Sequence, residues 1–190
     1  MKTLVIHPDD STTDFLCDVY KGKQWDVKRR ALDGKIVLSE AEKYDRIVML
    51  GHGCAYGLFS VEGMNFTKKL FTGGLVVNAD WTELLRTKEC IAIWCYAADF
   101  AKDHKLNGFY SGMFISELYE ADFCGIDTNQ QEIDQSNYVF ANAINRHAFT
   151  AQMYNKVMDE YVSDTDLIKY NRSRLSFYSK SSNQNAAKAA

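Results

Sequence analysis

The sequence predicts an α/β fold, in the form of a three-layer α/β/α sandwich with a mainly parallel central sheet. Short apolar segments rich in β-branched residues alternate with segments of helical periodicity. The apolar segments are too continuous to leave one face to water, which is typical of strands covered by helices on both sides. The length of 190 residues fits one compact domain. We assign residues 1–178 to this domain and the polar, low-complexity residues 179–190 to a disordered tail.

The predicted strands are short and most of them stop at a proline, glycine or cysteine. They cover residues 3–7, 25–27, 46–50, 90–94 and 122–126. Between them, periodic apolar residues or capping signals predict helices over residues 11–20, 80–85 and 111–121. A Ser39–Glu42 capping box predicts one more short helix, which ends at Tyr44. Two more helices, separated near His147, fill residues 132–162, and residues 56–63 predict a small hairpin or loop excursion.

Charge and cysteine usage narrow the classes of function. Lys and Arg number 22 against 25 Asp and Glu, and no long basic block is present, so we expect no nucleic-acid partner. The apolar segments are too short to cross a bilayer, and the N-terminus has no signal-peptide pattern, so we expect no membrane association. The five cysteines are scattered without a C-x-x-C pair, which favours a reducing compartment and a cytoplasmic protein.

In open parallel sheets, ligands bind beyond the carboxyl ends of the strands. This rule selects residues 7–10, 51–53 and 94–96 for inspection. Two consecutive strong strands run into His52 and Cys95, so we expect both side chains at one edge of the sheet. A thiolate is a competent nucleophile and a nearby imidazole can assist it, so the two residues are candidates for a catalytic dyad. The backbone amides of Gly53 and Cys95 are candidates for an oxyanion hole.

Over roughly residues 3–127 these motifs resemble the caspase-like cysteine peptidases, a group that includes metacaspases, legumains, gingipains, clostripain and separases. In that group one strand runs into His-Gly and the next core strand runs into the nucleophilic cysteine, as at His52-Gly53 and Cys95 here. Cys95 follows His52 by 43 residues, close to the spacing of about 50 in caspases. The Q-A-C-x-G string of caspases proper is missing around Cys95. The resemblance implies a caspase-like fold and a cysteine endopeptidase that needs no metal or other cofactor and acts on a protein or peptide substrate.

The same resemblance suggests where the substrate is recognised. The position two residues before the nucleophile, Ile93 here, lines the primary specificity pocket in several members, and Trp94 is expected beside it. Basic-specific relatives often place an aspartate at that position, and Asp9 or Asp10 is the candidate for supplying such a charge from another loop.

Three alternatives stay open. The run His7-Pro8-Asp9-Asp10 resembles the first-strand motif of zinc-dependent deacetylases of N-acetylglucosaminyl substrates, with His7 and Asp10 as zinc ligands and Asp9 as base, although the chain lacks the H-x-x-H that such enzymes need. The same fold without a working dyad predicts a binding or regulatory module, with aromatic contacts such as Tyr56, Phe59, Phe109 and Tyr110. Cys54 is a rival thiol beside His52, whereas we assign Cys17, Cys90 and Cys124 to packing.

Overall fold

The structure, a computed structural model, describes residues 1–30, 32–60 and 74–179. The strands in this part of the chain are β1 (Thr3–Ile6), β2 (Asp26–Lys28), β3 (Arg46–Leu50), β4 (Gly53–Cys54), β5 (Gly57–Phe59), β6 (Leu75–Val77), β7 (Glu89–Ile93), β8 (Gly108–Ser111) and β9 (Leu175–Tyr178). Of the predicted tail, residues 179–190, only Ser179 lies within the described residues. Of the predicted hairpin, residues 56–63, only residues 56–60 do.

A six-stranded sheet forms the centre of the molecule, in the order β2-β1-β3-β7-β8-β9. Every neighbouring pair in it is parallel except β8 and β9, which are antiparallel. Strands β4, β5 and β6 form a separate small antiparallel sheet. The predicted α/β class with a mainly parallel sheet is therefore confirmed.

Helices cover both faces of the large sheet. The described α-helices are α1 (Gly34–Ala41), α2 (Thr82–Leu85), α3 (Ala97–Asp103), α4 (Leu118–Cys124), α5 (Gln130–His147), α6 (Met153–Glu160) and α7 (Asp166–Ser173), and 3₁₀ helices occupy Ser11–Val19 and Ala79–Trp81. Helices α1, α2 and α3 contribute buried side chains to a cluster on one face, and the 3₁₀ helix Ser11–Val19, α5, α6 and α7 contribute to a cluster on the other. This arrangement is compatible with a three-layer α/β/α sandwich.

Alternating side chains of the central strands supply both clusters. In β3, Ile47 and Met49 belong to the first cluster, and Val48 and Leu50 belong to the second. All four are completely buried. Successive residues of a strand point to opposite faces, so a strand between two helix layers needs apolar residues at every position. This requirement explains the continuous apolar segments of the sequence.

The sequence predictions hold for several elements and are wrong for others. Strand β3 has the predicted bounds, β1 ends one residue earlier than predicted, β7 is shifted by one residue at both ends, and α5 and α6 are separated after His147 as expected. The predicted helix over residues 111–121 and the strand over 122–126 are wrong. Ser111 ends β8, and residues 122–124 complete α4, which Gly125 ends in a left-handed conformation. Short apolar segments do not separate helix from strand by periodicity alone, which is the reason for both errors.

Two predicted helix starts are also corrected. Asp33 caps α1 by accepting hydrogen bonds from the amides of Lys35 and Ile36, and Ser39 lies inside that helix. Asn78, rather than Asp80, caps the turn that leads into α2. In both cases an Asp or Asn side chain two or three residues upstream of the first helical amides satisfies them. Within the described residues, none of the helices is long and apolar enough to cross a membrane.

The close approach of β8 to β7 depends on Gly108. Its φ is +135°, and a Cβ atom placed there would lie 2.1 Å from the carbonyl oxygen of Cys90. We expect Gly108→Ala to lower the free energy of unfolding by more than about 2 kcal/mol, because both the backbone angle and the contact are unfavourable for alanine. Gly74→Ala is the matched control, since no atom of the described residues lies within 4 Å of a Cβ there. Urea unfolding of both variants measures the difference, and equal stability of the two contradicts this account.

Candidate functional site

The register of the two central strands places His52 and Cys95 at the same edge of the sheet. Strands β3 and β7 are parallel neighbours, and Leu50 lies opposite Ile93. His52 follows Leu50 by two residues, and Cys95 follows Ile93 by two residues. The amide of Gly51 donates to the carbonyl of Ile93 over 3.0 Å and continues the pairing beyond the strands. The two predicted dyad residues therefore leave the sheet side by side.

This edge is also the point where the strand order reverses. From β1 the chain moves outward to β2 and then returns to β3 on the other side of β1. In open α/β sheets, ligands bind in the crevice that such a reversal leaves at the carboxyl ends of the strands. The segment after β1 and the segment after β3 meet there, joined by a hydrogen bond of 2.6 Å between Thr12 Oγ1 and His52 Nε2.

Gly53 begins the hairpin of β4 and β5. The amide of Phe59 donates to the carbonyl of His52 over 2.9 Å, so these two residues form a hydrogen-bonded pair. The next pair, Gly53 opposite Leu58, is then of the non-hydrogen-bonded type, and the amide of Gly53 points away from β5. A Cβ atom at Gly53 would lie 2.3 Å from Cδ1 of Trp94, so the hairpin can lie against that ring only with glycine here.

Cys95 lies in a tight turn between β7 and α3. Tyr96, the residue after it, has φ of 69° and ψ of 21°, a left-handed conformation that is uncommon for an aromatic residue. The hydroxyl of Ser111 donates to the carbonyl of Trp94 over 2.9 Å, and the amide of Ala97 donates to the same carbonyl over 3.1 Å. Strained turns of this kind are concentrated at functional sites, where they fix the direction of a side chain.

His52 and Cys95 both line one narrow cavity of about 20 Å³. A space of this size holds about one water molecule. Ser111, Phe114, Ser116 and Glu120 are among its other lining residues, which come from β8, from the segment after it and from α4.

The Cys95 thiol is uncharged at neutral pH. Burial, followed by the negative charge of Glu120, raises its pKa to about 11, and a hydrogen bond with the backbone of Phe114 acts in the opposite direction. Among the described residues, the hydrogen bond of the His52 ring goes to Thr12, and Cys95 is not one of its partners. The arrangement therefore holds a neutral cysteine beside a histidine, rather than a thiolate–imidazolium ion pair.

Two carboxyl groups, of Asp10 and Glu117, lie near the histidine. Thr12, the partner of His52, also donates its hydroxyl hydrogen to Asp10 Oδ1 over 2.8 Å. Glu117, which precedes α4, has its pKa raised by partial burial and by Glu120, while the nearby His52 opposes this shift. Glu120 is 4% exposed and accepts hydrogen bonds from the amides of Ser116 and Glu117 over 2.7 and 3.2 Å. It fixes the segment that lines the cavity next to Cys95.

The residues predicted to bind substrate fall into separate groups. Ile93 and Trp94 line the narrow cavity but are only 3% and 2% exposed, so they form its floor. The carboxylate of Asp9 pairs with Arg30 and Arg29 at 2.8 and 3.1 Å; the hydrogen bond from Arg30 and then the charge of Arg29 lower its pKa and balance its charge. Asp10 caps the 3₁₀ helix Ser11–Val19 and reaches His52 only through Thr12.

The segment expected in the deacetylase hypothesis has a structural role. His7 is completely buried, and its ring nitrogens bond to Tyr20 Oη at 3.0 Å and Thr13 Oγ1 at 3.2 Å. With both nitrogens and both following carboxylates engaged, this segment offers no open set of ligands. In the described part of the chain, no group of three or more His, Cys, Asp or Glu side chains is arranged to hold a metal ion.

Sequence reasoning missed Thr12, Glu117 and Glu120, because their roles depend on elements that are distant in sequence.

Of the cysteines assigned to packing, Cys90 is buried, whereas Cys17 is half-buried and accepts hydrogen bonds from Tyr20 and Arg29 over 3.1 and 3.2 Å. The rival thiol Cys54 lies in β4, and its carbonyl accepts from the indole of Trp94 over 3.1 Å.

A larger cavity, of about 720 Å³, lies at the opposite end of the sheet. Its walls include the first residues of β7 and β8, the segment between α5 and α6, and the end of β9. None of the residues predicted for catalysis or substrate binding by the peptidase lines it, whereas Phe109, an expected contact of the binding module, does. The candidate chemistry and this cavity are therefore on different sides of the molecule.

Comparisons with known proteins match no family model to this chain, and they find no significant match among curated proteins or solved structures. The interpretation of the site therefore depends on its own geometry and chemistry.

Burial of His7 links stability to pH. Burial, followed by the charge of Arg29, lowers its pKa from 6.5 to about 4. Between these two pH values His7 is therefore protonated in the unfolded chain and neutral in the folded chain. The stabilisation is complete above about pH 6.5 and is lost as the pH falls towards 4, by about 3 kcal/mol in total. We expect the stability difference between wild type and His7→Gln to shrink by this amount between these two pH values. Urea unfolding at a series of pH values measures it, and parallel curves for the two proteins contradict it.

The raised pKa of Cys95 predicts slow alkylation of the resting protein. At neutral pH we expect iodoacetamide to modify Cys95 about 100-fold more slowly in the folded protein than in the urea-unfolded chain, because far less thiolate is present. Mass spectrometry of the peptide that contains Cys95 gives both rates. Equal rates in the two states mean that the thiol is not held neutral by the fold.

Proposed function

We propose that the protein is a cysteine endopeptidase of caspase-like architecture, with Cys95 as nucleophile and His52 as general acid and base. The observation that carries this proposal is the register of β3 and β7, which brings two residues 43 positions apart in the chain to equal offsets beyond one paired strand end. Both side chains line the same cavity at the reversal of strand order. The His-Gly and Cys motifs at the ends of successive core strands support the caspase-like assignment.

The proposed reaction is hydrolysis through an acyl-enzyme. The sulfur of Cys95 attacks the scissile carbonyl carbon while His52 accepts the thiol proton. The amides of Gly53 and Cys95 stabilise the oxyanion, and collapse of the tetrahedral intermediate breaks the carbon–nitrogen bond as His52 protonates the leaving amine. A water molecule, deprotonated by His52, then attacks the thioester and releases the acid, which returns Cys95 to the thiol.

The neutral thiol decides how the nucleophile is activated. Since the pKa of Cys95 is about 11, the proton leaves during the attack and not before it. General-base assistance by a positioned histidine contributes about 10²- to 10⁴-fold to such a step. The narrow cavity is too small for a side chain of the substrate, so the peptide lies across the edge of the sheet with its carbonyl at the cavity mouth.

A second candidate function is a caspase-like binding or regulatory module without catalysis. The raised pKa of Cys95, which leaves little thiolate in the resting protein, favours it. Of the aromatic contacts expected for such a module, Tyr56 is 77% exposed, but Phe109 and Tyr110 are completely buried in β8. Exposed Tyr119 and Phe123, on α4 beside the candidate site, are better placed for a partner.

Two substitutions test the proposed peptidase directly. We expect Cys95→Ala to abolish cleavage, and we expect His52→Ala to lower kcat by about 10²- to 10⁴-fold, because the thiol then has no base. The assay is cleavage of an unbiased fluorogenic peptide library by purified protein, followed by kinetics on the best substrate.

Cys54→Ala is the matched control, because Cys54 is the other half-buried cysteine next to His52 and has no role in the proposed reaction. Circular dichroism and urea unfolding establish that each variant is folded. Turnover that survives in folded Cys95→Ala overturns the proposal, and so does a wild-type protein that cleaves no member of the library; the latter result favours the binding module.

A further inference from the structure

We propose that Thr12, held by Asp10, is the positioning residue for His52: it fixes the tautomer of the imidazole so that Nδ1 is the basic nitrogen. This inference rests on the proposed function for its catalytic meaning, but the contact itself does not. The relevant atoms are Thr12 Oγ1 and His52 Nε2, which are 2.6 Å apart and therefore within hydrogen-bond distance.

The direction of each hydrogen bond follows from a count of donors. A hydroxyl has one hydrogen, and that of Thr12 is given to Oδ1 of Asp10 over 2.8 Å. A carboxylate only accepts, so this hydrogen has no alternative direction. The oxygen of Thr12 must then accept from His52, which places the ring hydrogen on Nε2. A neutral imidazole carries one such hydrogen, so Nδ1 is left as the acceptor.

Thr12 is itself held in place by its neighbours. Its amide donates to the same oxygen of Asp10 over 2.9 Å, so one carboxylate oxygen binds both the backbone and the hydroxyl of Thr12. The next residue, Thr13, is buried and bonds to the carbonyl of Asp10 over 3.0 Å and to His7 over 3.2 Å. The segment after β1 therefore presents the Thr12 oxygen from a fixed position at the end of a buried strand.

Nearby carboxyl groups also stabilise His52 when its ring is positively charged. When His52 holds the proton taken from Cys95, the negative charge of Asp10 lies one hydroxyl away, and Glu117, in the segment before α4, is close enough to interact electrostatically with the histidine. A base oriented by a third group is the general pattern of histidine-assisted nucleophiles. Here that group is a hydroxyl that is hydrogen-bonded to a carboxylate. It comes from the segment after β1, and β1 lies on the opposite side of β3 from β7, the strand that precedes the nucleophile.

The first test measures the histidine without any substrate. Protein labelled with ¹⁵N at its four histidines is studied by NMR at about pH 8, where an ordinary imidazole is neutral. His52→Gln assigns the His52 resonances. We expect wild type to show one tautomer, protonated at Nε2, and Thr12→Val to show the averaged nitrogen shifts of an unrestrained ring. Thr12→Ser keeps the hydroxyl and is expected to restore the single tautomer. Ser11→Ala, an exposed neighbour, is the control.

The second test uses the library substrate. We expect Thr12→Val to lower kcat about 10- to 100-fold with little change in KM, because orientation of the base is lost while substrate contacts are kept. Thr12→Ser is expected to retain most of the activity, which a loss of folding would not explain.

The outcomes separate this inference from the proposed function. A single tautomer that depends on the Thr12 hydroxyl, in a protein that cleaves nothing, supports the positioning role and overturns the peptidase. Averaged shifts in wild type, or an unchanged single tautomer in Thr12→Val, overturn the positioning role whether or not the protein is a peptidase. Equal kcat in Thr12→Val and wild type does the same.

Discussion

The parallel pairing of β3 with β7 is the constraint on which the rest of the molecule depends. It sets Leu50 opposite Ile93 and so decides which residues leave the sheet together. Side chains alternate between faces along a strand, so a slip of one residue would exchange the two apolar faces. Both faces are covered by helices, and both would lose their packing. The burial that stabilises the fold and the alignment of His52 with Cys95 therefore have the same physical cause.

The reversal of strand order next to this pair brings a third segment, the one after β1, to the edge that carries His52 and Cys95. Because β1 lies beside β3, the segment after β1 ends within reach of His52, and the 3₁₀ helix Ser11–Val19 begins there. A buried histidine, His7, holds this segment in place through a hydrogen bond with Thr13. From the other side, the buried carboxylate of Glu120 holds the segment before α4 against the cavity that Cys95 lines. Hydrogen-bonded polar groups therefore hold both the segment after β1 and the segment before α4 in place around the ends of β3 and β7.

The strands that carry the candidate site were predictable because each has an unambiguous pattern. The apolar segments of β1, β3 and β7 follow a charged residue and stop at a proline, a glycine and a cysteine, respectively. Strand β8 was not predicted, because its residues Gly108–Ser111 form a short segment that begins with glycine and ends with a polar residue. It is a strand because Phe109 and Tyr110 fill the two opposite hydrophobic clusters and Gly108 permits close contact with β7. These are long-range requirements that a local pattern does not contain.

By itself the sequence determined the α/β class, the central strands and the positions of His52 and Cys95 at strand ends, because local apolar periodicity and chain breakers act over a few residues. The tertiary structure decided which strands are neighbours, how they are registered, and that Thr12 lies against the histidine. It also decided that the Cys95 thiol is neutral, since its pKa depends on burial and on a carboxylate 25 residues away in the chain. Register and burial arise from contacts between distant segments, and those contacts exist only in the folded chain.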